Sequence, residues 1–134
     1  MNLINNKINH LEIYLASKSP RRQELLKNII PKFEIVTKEI EEIYPKNLPP
    51  NKIAQFLAEL KAKSFLKDSN KNNLFITADT IVVLGDKVLG KPKDFNDAFS
   101  MLKELSSKTH AVYTGVALLY NEKIQSFQDS TEVT

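Results

Sequence analysis

The stretch Leu74-Phe-Ile-Thr-Ala-Asp-Thr-Ile-Val-Val-Leu84 constrains this chain more than any other segment. A run so apolar and so rich in β-branched side chains reads as the centre of a β-sheet. The Gly85-Asp86 pair that follows predicts a two-residue hairpin turn into Lys87-Val-Leu89. One residue breaks the pattern. Asp79 puts a carboxylate inside an otherwise apolar strand, which is costly unless the group is paired, hydrogen-bonded or metal-bound. Asp79 is therefore the leading catalytic candidate, and the competing reading is a turn or bulge aspartate satisfied by backbone donors.

The rest of the chain supplies partners for that strand. Ile13-Tyr-Leu-Ala16 reads as a short buried strand that feeds directly into a helix, with Ser19 as N-cap and Pro20 at the first helical position. That helix is expected to bury Leu25, Leu26, Ile29 and Ile30 before Pro31 ends it, and Phe33 to Thr37 then alternate as a second strand. Residues 38–50 are acidic and bounded by proline, hence a loop. From about residue 51 to 67, Ile53, Phe56, Leu57 and Leu60 define an amphipathic helix, ended by the polar string from Asp68 to Asn73. Asp94 can cap a helix carrying Ala98, Met101, Leu102 and Leu105 on one face, and residues 111–120 and 123–133 read as two strands joined at Asn121-Glu122. Alternating strands and helices without internal repeats indicate an α/β fold with a mixed central β-sheet and flanking helices.

Several positions carry chemistry. Leu15-Ala-Ser-Lys-Ser-Pro-Arg-Arg-Gln-Glu-Leu-Leu26 gathers two hydroxyls, Lys18, Arg21 and Arg22 at the start of a helix. Unpaired N–H groups, the positive dipole end and bidentate guanidinium donors together make a phosphate cradle there, although Ser19 can equally serve as a cap beside solvated arginines. Lys61 falls inside the apolar arc of its helix, between Ala54, Leu57 and Phe65, so it must snorkel or find an anion. Glu39, Glu41 and Glu42 form an acidic cluster in the loop, and carboxylates from there that face Asp79 would share a hard cation. Lys91, in Leu89-Gly-Lys-Pro92, returns toward the same end of the sheet, whereas His110 reads as a packing residue at a strand start.

Composition narrows the chemistry further. The chain has no cysteine and two histidines, so thiolate and histidine-cluster metal sites are excluded and any metal must be held by oxygen, which points to Mg²⁺ or Mn²⁺. The absence of cysteine also suits a reducing compartment. No run approaches the ~20 apolar residues needed to span a bilayer, and Met1 to His10 lacks the apolar core of a signal peptide. A soluble, cytoplasmic protein is expected. The net charge of +3 favours anionic ligands, yet the lysines are scattered and no aromatic stacking motif accompanies them, so an RNA-binding module is not expected.

Taken in order, Leu15 to Leu26, Ile40-Glu-Glu42, Leu57-Ala-Glu-Leu-Lys-Ala-Lys63, Ala78-Asp-Thr80, Leu89-Gly-Lys-Pro92 and the segment from His110 to Gly115 closely resemble the Maf family, from about residue 12 to the end. The first motif is highly specific, and the others gain force as an ordered set. The resemblance implies a polar N-terminal extension over residues 1–11 and a Maf-like domain over 12–134 with a nucleotide cleft in the style of inosine triphosphatases. It also implies that a C-terminal helical part is missing, so that the chain alone is expected to be less stable, weakly active or inactive, and sheltered in a homodimer.

The implied activity is hydrolysis of a nucleoside triphosphate between the α and β phosphates, with Mg²⁺ or Mn²⁺. The Ser-Pro-Arg-Arg and Ala-Asp-Thr forms resemble the branch acting on dTTP and UTP. Within that pattern Asp79 corresponds to the base or water activator and, with Glu42, to the metal-binding carboxylates. Ser17, Arg21, Lys61 and Lys91 correspond to polyphosphate ligands, and Arg22 and Thr80 to base discrimination. The family name also links such proteins to septum formation. The partner expected is thus a nucleoside triphosphate, with no membrane and no nucleic acid. The alternative is a non-catalytic nucleotide-binding regulator of cell division.

Overall fold

The computed structural model describes residues 11–84, 87–89, 96, 99–101, 103 and 110–133. Its spine is β3 (Asn73–Leu84), an unbroken strand that runs straight through Asp79. Leu74 to Val83 pair one for one with Tyr120 to Ala111, so Asp79 is neither a turn nor a bulge residue. On one side of β3 lies β1 (Glu12–Ala16), parallel to it, with β2 (Glu34–Ile35) parallel beyond. On the other side lie β5 (His110–Tyr120) and β6 (Lys123–Val133), each antiparallel to its neighbour. A short β4 (Lys87–Leu89) returns along the far end of β3, opposite Val82 to Leu84. Among the described residues this makes a 6-stranded mixed sheet in the order β2-β1-β3-β5-β6, with β4 beside β3.

Turn chemistry fixes the antiparallel half. Asn121 and Glu122 both take positive φ, 51° and 66°, which matches the right-handed twist of the strands they join. Leu84 stands opposite Lys87, as a two-residue connection requires, although Gly85 and Asp86 themselves lie outside the described residues. The parallel half needs crossovers instead. These run through helices α1 (Pro20–Lys27) and α2 (Pro50–Lys63).

Helix α2 covers one face of the sheet. Its Ile53, Ala54, Leu57, Ala58 and Ala62 are buried and share the core with Phe75, Ile81, Val83, Ala117 and Leu119. Small residues bring the helix close: a Cβ at Gly115 would lie 2.5 Å from the carbonyl carbon and oxygen of Ala54 and from Cα of Gln55. The buried Thr77 hydroxyl donates to the Ala58 carbonyl at 2.6 Å across the same interface.

Three expectations are corrected. Helix α1 buries none of its residues: Leu25 is 53% exposed and, beyond its end, Ile29 is 50% exposed. Polar bonds hold this segment to the sheet in place of apolar burial, namely Gln23 Nε2 to the Ser17 carbonyl at 3.1 Å and the Arg22 side chain to β3. Strand β2 is two residues long, not the full Phe33 to Thr37 segment: Glu34 and Ile35 stand in register with Tyr14 and Leu15, and the contact with β1 ends with the Val36 N–H donating to the Leu15 carbonyl at 3.0 Å. Helix α2 stops at Lys63 and gives way to a 3₁₀ turn over Leu66–Asp68, closed by the Asp68 N–H donating to the Phe65 carbonyl. In the expected later helix, Asn96, Phe99 to Met101 and Lys103 are helical, and Asp94, Ala98, Leu102 and Leu105 lie outside the described residues.

Candidate active site

The sheet changes character at one place. Strand β1 ends opposite Thr77 and β4 begins opposite Val82, so residues 78–81 of β3 have no strand neighbour on that edge among the described residues. Main-chain groups left without a ladder must be satisfied by other donors and acceptors. Here side chains do it. The Ala78 carbonyl accepts from Lys61 Nζ at 3.3 Å and from Arg22 Nη1 at 3.5 Å, and the Thr80 N–H donates to Asp79 Oδ1 at 2.9 Å. The opening is the floor of a cleft of about 710 Å³ walled by the β1–α1 loop, the acidic loop and the C-terminal turns of α2.

Successive side chains on a strand point to opposite faces, so Asp79 shares the α2 face and Thr80 the other. On the α2 face, Lys61 extends its ammonium between two carboxylates, 3.2 Å from Glu42 Oε1 and 3.6 Å from Asp79 Oδ1. Its position inside the apolar arc of α2 is thus resolved by an anionic partner on each side. Asp79 is the more enclosed carboxylate, with 13% of its side chain exposed against 39% for Glu42. Burial holds the Asp79 carboxyl above the ordinary carboxylate range, while the Lys61 ammonium and the Thr80 N–H pull it back and Glu42 adds to the rise. The second oxygen, Oδ2, is buried without a hydrogen-bond partner among the described residues. An acceptor held in this way, at the floor of an open cleft, is placed to take a proton or to meet a cation.

The start of α1 also faces the cleft. Ser19 caps α1, its Oγ accepting from the Arg22 N–H at 3.4 Å, and Pro20 occupies the first turn. The buried Ser17 turns its hydroxyl to accept from the Ser19 N–H at 3.1 Å. Ser17, Lys18, Ser19 and Arg22 line the cleft together with Glu42, Lys61, Asp79 and Thr80. Arg22 and Thr80 touch one another, the guanidinium Nη2 lying 2.6 Å from the threonine hydroxyl. Arg21 is exposed on α1 and is not among the residues that line the cleft, and Lys91 lies outside the described residues.

Sequence reasoning missed Lys38. It lines the cleft, donates to the Ser64 carbonyl at 2.7 Å, pairs with Asp68 at 3.2 Å and stands 4.8 Å over the Phe65 ring. It thereby ties the start of the acidic loop to the C-terminal end of α2, where a cation also suits the helix dipole. The signal available was weak: a lone lysine between a strand and a charge run has no periodicity to betray it. Among the described residues no three His, Asp or Glu side chains converge; Glu42 and Asp79 are the two carboxylates that Lys61 brings together. No helix among the described residues is long and apolar enough to cross a membrane.

Comparison with known proteins agrees with this picture. Residues 12–134 match the family model described as Maf-like protein. The chain is 47% identical over 132 residues to the dTTP/UTP pyrophosphatase of Flavobacterium psychrophilum, covering 98% of this chain and 68% of that protein. It is 48% identical over 126 residues to the dTTP/UTP pyrophosphatase of Carboxydothermus hydrogenoformans, covering 92% of this chain and 66% of that protein. The chain therefore spans about two thirds of the length of these relatives. The Ham1 protein of Staphylococcus aureus superposes with a TM-score of 0.62 at 16% identity, over 90% of this chain and 70% of that one, a likeness of fold alone. With its motif order, its mixed sheet and a family match that runs from residue 12 to the last, the chain belongs to the Maf-like protein family.

Proposed function

We propose that this chain is a nucleoside triphosphate pyrophosphatase that hydrolyses dTTP and UTP to the monophosphate and pyrophosphate. The observation that carries the reading is the convergence of a buried carboxylate with elevated proton affinity, Asp79, on a lysine and a second carboxylate beside a capped helix N-terminus. The relatives named for dTTP and UTP support the choice of nucleotides.

In this reading Asp79 accepts the proton of the attacking water, for which an elevated carboxylate pKa is suited near neutrality. Ser17 and Lys61, which line the cleft, bind the polyphosphate with the N–H groups of α1 beside them, and the family resemblance adds Arg21, exposed in the first turn of α1, and Lys91 to the same role. Arg22 and Thr80, joined by their 2.6 Å bond, meet the nucleoside end as one unit and bear on the choice of base. A divalent cation, Mg²⁺ or Mn²⁺, fits the donors present: two carboxylates, one with an unpartnered buried oxygen, are what a hard ion takes when substrate phosphates complete its shell. Glu42 and Asp79 would hold it, and it would supply charge neutralisation on the phosphate oxygens. The lack of cysteine supports a reducing, cytoplasmic setting.

The test is a panel of nucleoside triphosphates incubated with Mg²⁺ or Mn²⁺, with products resolved by chromatography. Monophosphate plus pyrophosphate from dTTP and UTP is the expected result. Release of orthophosphate instead, or tight binding without turnover, would replace this reading with a different hydrolase or with the nucleotide-binding regulator.

A further inference from the structure

Arg22 makes two bonds that its place in a cradle for phosphate does not require. It reaches across from α1 to β3 and takes hold of the residues on either side of Asp79: the carbonyl of Ala78 at 3.5 Å through Nη1, and the hydroxyl of Thr80 at 2.6 Å through Nη2. Both lie in the interval of β3 where neither β1 nor β4 pairs. From Leu74 to Thr77, and at Val82 and Val83, the ladder holds the backbone from both edges. At Asp79, among the described residues, only β5 does so, on the side of Gly115.

We infer that Arg22 is a positioning residue for Asp79: its guanidinium stands in for a strand on the open edge and holds the residues on both sides of the carboxylate, Ala78 by its carbonyl and Thr80 by its hydroxyl. The replacement is two-sided. Lys61 approaches the same Ala78 carbonyl from the α2 face at 3.3 Å, while Arg22 bonds Thr80 on the opposite face. The Thr80 N–H, also at this opening, closes onto Asp79 Oδ1, so a shift of the Thr80 peptide moves the carboxylate directly. Thr80 Oγ1 also lies 3.4 Å from Thr114 Oγ1 on β5, which extends the brace to the paired side of the strand. A lysine could supply the charge of Arg22 but not two donors in a rigid fork, so the geometry asks for arginine. This inference rests on the proposed catalytic role of Asp79, and it differs from base recognition by Arg22 in what it predicts.

The experiment combines two measurements on the intact chain. Hydrogen exchange at the Thr80 amide is followed by NMR in the wild type, Arg22→Met, Arg22→Lys and Thr80→Ser, with the amides of β5 as internal reference. Arg22→Met should speed exchange at Thr80 by about tenfold or more while the reference amides keep their protection, with Arg22→Lys in between and Thr80→Ser close to wild type. In the second measurement, Arg22→Met should lower kcat on dTTP and UTP alike by about tenfold or more with KM changed much less, because a misplaced carboxylate harms the reaction step rather than binding. Thr80→Val should reproduce much of that loss, and the double variant should lose less than the sum of the two.

Unchanged exchange at Thr80 in Arg22→Met would overturn the inference, as would a loss confined to KM or to the ratio of dTTP to UTP. A wild-type chain without pyrophosphatase turnover would defeat the proposed function instead. The exchange measurement would still decide whether Arg22 braces Asp79.

Discussion

The distance of α2 from the sheet hangs on one residue, Gly115, which stands directly across the ladder from Asp79. Replacing it with alanine would put a Cβ 2.5 Å from three backbone atoms of Ala54 and Gln55. Ordinary contact needs roughly another 1 Å, and because the opposing atoms are backbone within a helix, no rotamer change can supply it. The helix must lift or the strand must sag. Overpacking of this kind costs about 1–3 kcal/mol, offset by a few tenths to ~1 kcal/mol from the stiffer unfolded chain. Against three backbone atoms the upper half of that cost applies, a net loss of ~1–2.5 kcal/mol, which for a chain of this size is a fall in Tm of roughly 3–10 °C.

A functional consequence should accompany the loss of stability. Lys61, two turns along the same helix, lies within hydrogen-bonding distance of the Ala78 carbonyl, and lifting α2 draws its ammonium away from β3. Calorimetry and nucleotide hydrolysis on Gly115→Ala are the assays, with Thr114→Ser as a control that leaves this interface alone. A melting temperature within a degree of wild type, with normal turnover, would refute the account of how α2 is seated.

Further substitutions test the site. Asp79→Asn should cut turnover by about 10²-fold or more if the carboxylate moves a proton. It should also stabilise the protein near neutral pH. A carboxyl whose folded pKa is raised contributes stability below its unfolded pKa, and this is lost as pH rises through the folded value; the ionised form is therefore the strained one. Melting curves in a chelator should show the variant above wild type at pH 7 and the two converging in acid, and a variant that melts lower at pH 7 contradicts this sign. Lys61→Met leaves Glu42 and Asp79 facing one another without their shared cation, so binding of dTTP and turnover should fall together, the first read by titration calorimetry and the second by pyrophosphate release. Arg21→Ala should raise KM and lower kcat with little change in melting temperature, because its exposed side chain contributes nothing to the core; a loss of stability alone would remove it from the polyphosphate site.

Much of this was legible in the sequence, and the reasons differ by element. Strand β3 and the β5–β6 hairpin were readable because burial and turn chemistry act locally, through apolar runs and the Asn121-Glu122 pair. Lys61 was flagged by its place in an apolar arc, and the structure supplies its partners in Glu42 and Asp79. The apolar side of α1 misled, since Leu25 and Ile29 have helical spacing but are half exposed. Hydrogen bonds between residues far apart in the chain, such as Arg22 to Thr80, leave no periodicity to read, and they hold this helix in place. Lys38 escaped notice for the same reason: its carbonyl acceptor, its acid and its ring become neighbours only after folding.

The acceptor on which Arg22 and Lys61 meet belongs to the main chain, not to a side chain. No codon change at position 78 can delete it, so the meeting point is sheltered from point mutation while the two cations that use it are not. Residue 78 is constrained only in bulk, because its side chain is buried at 7% exposure. Protein engineers who wish to retune the cleft must therefore work on the donors, or replace the peptide link between Ala78 and Asp79 with an ester, whose carbonyl is a poorer acceptor. An ester there would weaken both grips together without changing a side chain, and it would also remove the Asp79 N–H on the β5 side of the strand.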